Sequence, residues 1–197
     1  MALRLGPLRI PWPGAAAKDP YWDAFINRPA SDPRNAAQEV LRHAAGGAVN
    51  PNRVDLHSPE ITAAHLRELA AFLGAERIGI VRLRDARADD ATESESYTFA
   101  IVCAVKADYD PRTAAGVGGQ VPVRDGRFVT FTLAAYIREM GCRATNQKPA
   151  DVQRLAAAAG LGTLNADGRL VPARGARIHV ADEVVHTDLP LAPDAEA

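Results

Sequence analysis

The sequence predicts an α+β domain whose central sheet is covered by helices. Three observations predict it. Tyr97 to Val105 is a nearly unbroken apolar run of strand length, the pattern of a strand buried on both faces. Several helix-like segments carry start and stop signals, among them Asp32-Pro33, Ser58-Pro59 and Gly74. Helices and strands then mix without strict βαβ alternation. The 197 residues, 47% hydrophobic and 24% charged, suit one domain with a terminal arm.

The segment 1–31 is that arm. It contains Pro7, Pro11, Pro13, Pro20 and Pro29, with Trp12, Tyr21, Trp22 and Phe25 between them. The prolines oppose regular structure, while so many aromatics oppose disorder. It reads as a strap on its own domain or a docking arm onto a neighbouring chain in a homo- or hetero-oligomer. Residues 32–197 form the domain. Asp32 and Pro33 open a helix that stops at Gly46-Gly47, and Ser58-Pro59 open a second through Ile61, Leu66, Leu69, Ala70 and Leu73. Arg77 to Leu83 is a short β-branched strand, and 85–96 a solvated acidic loop. After the apolar run, Asp110 to Gly126 reads as a long Gly-rich connection, with Gly116-Val-Gly-Gly119 a mobile loop. Phe128 to Met140 reads as a helix with Phe128, Phe131, Ala135 and the 132–133 pair facing the core. Pro149 starts another, ending at Gly160. Arg169 to Val171 and Arg177 to Val185 are the last strands.

Composition narrows the function. Lys plus Arg number 23 against 24 Asp plus Glu, so no basic surplus favours nucleic acid or an anionic membrane. No apolar run approaches the ~20 residues that span a bilayer, and the Pro-broken N-terminus lacks a signal-peptide core. Cys103 and Cys142 are the only cysteines, too few for a complete iron–sulfur cluster or a four-thiolate zinc site. The expectation is a soluble cytoplasmic protein. Neither the five histidines nor any Ser–His–Asp or Cys–His pairing has a metal or nucleophile spacing, so no metal site is expected. Asp108, Tyr109 and Asp110 crowd the end of the buried run, a usual place for a ligand and a candidate proton-handling cluster.

The C-terminal third carries a resemblance. Leu155-Ala-Ala-Ala-Ala-Gly-Leu-Gly-Thr-Leu-Asn-Ala-Asp-Gly-Arg-Leu-Val-Pro, Arg174-Gly-Ala-Arg-Ile-His and Thr187-Asp-Leu-Pro-Leu resemble the cobalamin-binding module of reductive dehalogenases and epoxyqueuosine reductases. Tyr97 to Asp110 resembles its apolar strand ending in Asp-Tyr-Asp, and Leu133 to Ala144 its helix leading into Gly-Tyr-Arg-Ala. The similarity runs in order over about residues 58–194.

The resemblance implies a nitroreductase-like sheet holding cobalamin, with Asn146, Gly160, Leu161, Gly162, Asn165 and Gly168 binding the cofactor. It implies Tyr109, Arg177 and His179 as catalytic residues, Arg177 meeting anionic charge. Departures are also visible. Val123 stands where the dehalogenases place a proton-donating Tyr, His179 replaces an Arg, and about two extra residues separate His179 from Thr187. The family continues into a segment with two cysteine-ligated clusters whereas this sequence stops at Ala197. The expectation is therefore a corrinoid-binding protein, without an iron–sulfur cluster of its own, served by a separate iron–sulfur protein. The alternative is a degenerate, non-catalytic member acting as a structural or interaction subunit. A flavin-binding relative lacks a phosphate-binding pattern.

Overall fold

A computed structural model describes residues 47–84, 97–172 and 177–194. The expected arm, the helix opening at Asp32 and the acidic loop at 85–96 lie outside these residues. Ser58 caps the first helix, α1 (Pro59–Phe72), by accepting from the Ile61 N–H, with Pro59 fixing φ where no donor is needed. The helix ends where Gly74 takes φ +103°. Strand β1 (Ala75–Arg82) follows, then β2 (Phe99–Lys106), paired antiparallel from Ala75↔Val105 to Arg82↔Phe99 with an irregularity between Ala75 and Arg77.

The apolar run is buried on both faces, as its composition predicts. Phe99, Ile101, Cys103 and Val105 join Leu66, Ile80, Leu133 and Ile137 in one core layer. Ala100, Val102 and Ala104 join Leu155, Ala156, Ala159 and Leu161 in the other. Full burial of each large aliphatic side chain contributes ~1.5–3 kcal/mol. Both cysteines lie in the first layer, and burial pushes the Cys103 thiol up to about 12.

The Gly-rich connection is where the sequence reading needs correcting. Residues Val117–Glu139 form one helix, α2, with Gly116 as N-cap. The glycines serve close packing and not mobility: a Cβ on Gly119 would lie 1.8 Å from the Ala114 carbonyl oxygen. One on Gly126 would lie 3.0 Å from Ala181 Cβ. Pro122 is buried inside the helix. The face of α2 also differs from expectation. Val129, Thr130, Leu133, Ala134, Ile137 and Arg138 are buried, whereas Phe128 is exposed and Phe131, Thr132 and Ala135 are only half-buried.

Beyond α2 come β3 (Ala144–Gln147) and α3 (Val152–Ala158), whose cap is Asp151 and not Pro149. Gly162–Leu164 (β4) and Leu170–Pro172 (β5) pair as a hairpin, so the glycines expected to contact the cofactor lie in and around a strand pair. The single strand expected over 177–185 is two, β6 (Ile178–Val180) and β7 (Val184–Thr187), both antiparallel to β2. Val180 pairs with Ala104 and Val185 with Ile101, five steps on one strand against three on the other. The surplus is a two-residue bulge, and it falls where the two extra residues appear in the sequence.

The main sheet runs β1-β2-β7-β3, with β6 beside β2 in line with β7. At the β1 edge Asp194 donates its N–H to the Ile80 carbonyl at 2.8 Å and accepts from the Ile80 N–H through Oδ2 at 2.8 Å. Arg67 holds its other oxygen at 2.6 Å, so the edge is closed by the chain itself. Among the described residues no helix is long and apolar enough to cross a membrane.

Gly79 of β1 lies against the end of α3, where a Cβ would sit 2.1 Å from the Ala159 carbonyl oxygen. Gly79→Ala is therefore expected to cost ~1–3 kcal/mol by overpacking, read as a lower denaturant midpoint at unchanged m-value. Gly168→Ala meets nothing within 4 Å at φ +71° and is expected to cost only the left-handed backbone penalty, ~1–2 kcal/mol. Equal midpoints for Gly79→Ala and the wild type would contradict this packing.

Candidate functional site

Strand β6 hydrogen-bonds to β2 on one side, and among the described residues no strand pairs with its other edge. That open edge borders a cleft of about 710 Å³. Ala107 and Tyr109 to Arg112, which follow β2, form one wall, and the β4–β5 hairpin with Gln153 of α3 forms another. Asp182, in the bulge, closes the end.

Each wall has a local cause. Asp110 ends the buried run in a turn in which its Oδ1 accepts from the Arg112 N–H at 2.9 Å. The Arg112 guanidinium returns to the same carboxylate, Nε to Oδ1 at 2.9 Å and Nη2 to Oδ2 at 2.5 Å. This fork holds the Asp110 carboxyl down at about 2. In the hairpin, Asn165 Oδ1 accepts from the Asp167 and Arg169 N–H groups at 3.0 and 2.8 Å, and Gly168 supplies the positive φ. Gln153 accepts from the Leu170 N–H at 2.9 Å, fastening the hairpin to α3.

His179 is the chemically distinctive group. It pairs in register with Val105, so its ring lies on the α2 side of the sheet. Its Nε2 is shielded from solvent and has no hydrogen-bond partner among the described residues. Burial lowers its pKa from the ordinary imidazole value, opposed by Asp182 and Asp110 and assisted by Arg112 and Arg127. The cleft thus combines a neutral imidazole, the half-buried Tyr109 and the exposed Arg169 and Arg177 with an apolar wall of Leu170, Pro172, Ile178 and Val180. Such a surface suits a large, flat ligand with an apolar body and a polar rim.

Of the residues singled out in the sequence, Tyr109, Asn165, Arg177 and His179 line this one cleft. The others do not. Gly160 and Leu161 line a separate hollow of about 550 Å³ with Arg67, Glu68 and Asp194. Gly162 is closed off by its own hairpin, where a Cβ would lie 2.4 Å from the Val171 carbonyl oxygen. Gly168 forms the hairpin turn. Asn146 is buried at 1% exposure and donates from Nδ2 to Glu183 Oε2 at 2.7 Å. Glu183 also faces Arg127 Nε at 3.7 Å, and these three make a buried polar group behind the bulge. The sequence reading missed Arg112, Gln153, Arg169 and Asp182. Only the Asp-Pro-Arg turn of Arg112 left a local signal, since the others arrive through tertiary packing. Among the described residues no group of three or more His, Cys, Asp or Glu is placed to hold a metal ion.

No protein-family model and no curated protein matches the chain. Solved structures do. One, a reductive dehalogenase described with a mechanism for B12-dependent dehalogenation, is 26% identical over 87% of this chain, with a TM-score of 0.69. The catabolic reductive dehalogenase NpRdhA, N-terminally tagged, is 28% identical over 97% at a TM-score of 0.67. The same protein in complex with 3-bromo-4-hydroxybenzoic acid gives 29% and 0.69 over 97%. The fold is thus reductive-dehalogenase-like. The chain spans only 26–28% of the length of those chains.

The lowered pKa of His179 has a signed consequence. As pH falls through the ordinary imidazole range the unfolded chain takes up a proton that the folded protein refuses, so stability present above that range is lost on acidification. His179→Gln removes this contribution. Its melting temperature is expected to fall less than that of the wild type between about pH 7 and about pH 5. Parallel profiles for the two proteins would show that His179 titrates normally.

Proposed function

We propose that this domain binds a corrinoid in the cleft beside β6 and works as the cobalamin-dependent part of a reductase supplied with electrons by a separate iron–sulfur protein. The observation that carries the reading is a placement within a likeness of fold. Four residues singled out by the resemblance, Tyr109, Asn165, Arg177 and His179, line one cleft, and the fold is like that of reductive dehalogenases, one of them described as B12-dependent.

The residues present fit such a group. Leu170, Pro172, Ile178 and Val180 offer an apolar wall to a macrocycle, while Tyr109, Asn165, Arg169 and Arg177 offer polar atoms to its amide and phosphate periphery. His179 also lines the cleft, with its Nε2 turned to the interior and shielded from solvent. A bound corrinoid would supply a reducible cobalt centre. The chain's own part is to seat the ligand, keep a fixed positive charge at Arg177 for an anionic substrate or product, and carry a proton on His179 or Tyr109. Burial lowers the pKa of the His179 ring and so favours its neutral form, which can accept a proton. Gly160 and Leu161 have no part in this arrangement, since they lie on the other hollow. Both cysteines are buried in the core, and on this reading the electrons come from a separate iron–sulfur protein.

The test is the ultraviolet–visible spectrum and bound cobalt of the full chain incubated with cobalamin and freed of excess. A shifted corrin spectrum with cobalt retained is expected. His179→Gln and Tyr109→Phe should each weaken retention by about 3–10-fold, the worth of one hydrogen bond, whereas Glu68→Gln should not. A protein that retains no cobalt and leaves the corrin spectrum unchanged would sink the reading.

A further inference from the structure

Aspartate followed by glycine is a pairing in which a peptide chain can rewrite its own backbone. The glycine amide nitrogen attacks the Asp Cγ; a C–N bond forms, a C–O bond breaks and water leaves. Water then opens the resulting succinimide at either carbonyl. Attack at Cγ restores Asp, and attack at the main-chain carbon leaves an isoaspartyl link through the side chain. No oxidant or further reactant is needed. Glycine permits the attack because no Cβ crowds its nitrogen. The sequence holds the pair at two places, Asp125-Gly126 and Asp167-Gly168, and no Asn is followed by Gly.

The fold treats these two pairs in opposite ways. Asp125-Gly126 lies inside α2, where the Asp125 carboxylate accepts from Arg124 Nε at 2.8 Å. Gly126 is buried, and a Cβ there would lie 3.0 Å from Ala181 Cβ. Ring closure needs the Asp ψ to leave its helical value, which a packed helix opposes. Asp167-Gly168 instead stands at the tip of the β4–β5 hairpin, where every residue from Thr163 to Arg169 is exposed. Among the described residues no hydrogen bond or ion pair holds the Asp167 carboxylate. A Cβ on Gly168 would meet nothing within 4 Å, so the glycine is uncrowded. The restraint on the nucleophile is a turn bond at the surface, from the Gly168 N–H to the Asn165 carbonyl at 3.0 Å.

We propose that Asp167-Gly168 is a modification site, at which the folded protein isomerises its own backbone while Asp125-Gly126 stays inert. The position matters because the hairpin is a wall of the cleft. Asn165 Oδ1 accepts from the Asp167 and Arg169 N–H groups together. An isoaspartyl link inserts an extra backbone carbon between those two donors, so Asn165 no longer meets both. Asn165 and Arg169 then lose their places on the cleft wall. This inference stands apart from the identity of the ligand in the cleft.

The test is to age the full chain at neutral pH, folded and in urea, and map its peptides by electron-transfer fragmentation, which separates isoaspartyl from aspartyl links. In urea both pairs are expected to convert at similar rates. In the folded protein Asp167 should convert only about 2–10-fold more slowly than in urea, the worth of the one hydrogen bond that must open. Asp125 should slow by on the order of 10³-fold or more, since its conversion waits for α2 to open. Asp167→Glu should remove the folded-state product, because glutamate would have to close a larger ring. Methyl transfer to isoaspartyl carboxylates by an isoaspartyl methyltransferase counts the product independently. A folded protein without isoaspartate at 167, or with 125 converting as fast as 167, would overturn the proposal. So would an Asp167→Glu chain that takes up as much methyl as the wild type.

Discussion

Strand β2 is the constraint on which the rest of the structure depends. Seven consecutive residues from Phe99 to Val105 are buried, so both faces of the sheet must be covered at that strand. The two faces are unequal. Phe99, Ile101, Cys103 and Val105 require the long covering of α1 and α2, whereas Ala100, Val102 and Ala104 are small and let the seven-residue α3 approach closely. Gly79 on the neighbouring strand continues that shallow face, and Ala159 fills the space that a side chain would have taken. The hairpin and its wall of the cleft lie close to the sheet end for the same reason, since α3 anchors them through Gln153.

The cleft follows from how the chain returns to β2. Had residues 178–187 formed one regular strand, β3 or its extension could have paired along its whole outer edge. The bulge instead divides it, β3 pairs with β7 from Ala144↔Thr187 to Gln147↔Val184, and β6 is left with an open edge. The bulge also sends adjacent carboxylates to different places: Asp182 into the cleft, Glu183 into the interior beside Asn146 and Arg127. Bulges commonly re-aim side chains next to functional sites, and this one places His179 and Asp182 at the same cleft.

Much of the fold was legible in the sequence because its signals are local. The uninterrupted run at 97–105 announced a doubly covered strand, and Ser58-Pro59 with Gly74 bounded α1 nearly to the residue. The start of α2 was not legible, because Gly116, Gly118, Gly119 and Pro122 are breakers in isolation. The close approach of Gly119 to the Ala114 carbonyl and of Gly126 to Ala181 shows only once the chain is folded. The helix's facing was misread because its aromatic stripe is stronger than the stripe of Val129, Leu133, Ala134 and Ile137 that the sheet accepts. The site divided along the same line. The resemblance singles out Tyr109, Asn165, Arg177 and His179, and the fold brings these four to one cleft, but no local pattern distinguishes hairpin glycines from cofactor-contacting ones. Gly160 and Gly162, singled out with them, stand at a helix end and in a strand pair, away from that cleft.

The buried group behind the bulge explains why the return strand holds its place. Arg127 and Glu183 have side chains only 12% and 11% exposed. Removing such charges from water costs about as much as their attraction returns, so the pair adds little net stability. Its effect is on alternatives. Sliding β7 by one residue turns every side chain to the opposite face, which would carry Glu183 away and leave Arg127 and Asn146 facing each other in the interior. An uncompensated buried charge costs roughly 3–5 kcal/mol, a large share of the stability of a domain this size. The polar group thus penalises the neighbouring registers more than it favours the native one. Because β6 is continuous with β7 through the bulge, the register that Glu183 holds is also the one that keeps His179 at the cleft.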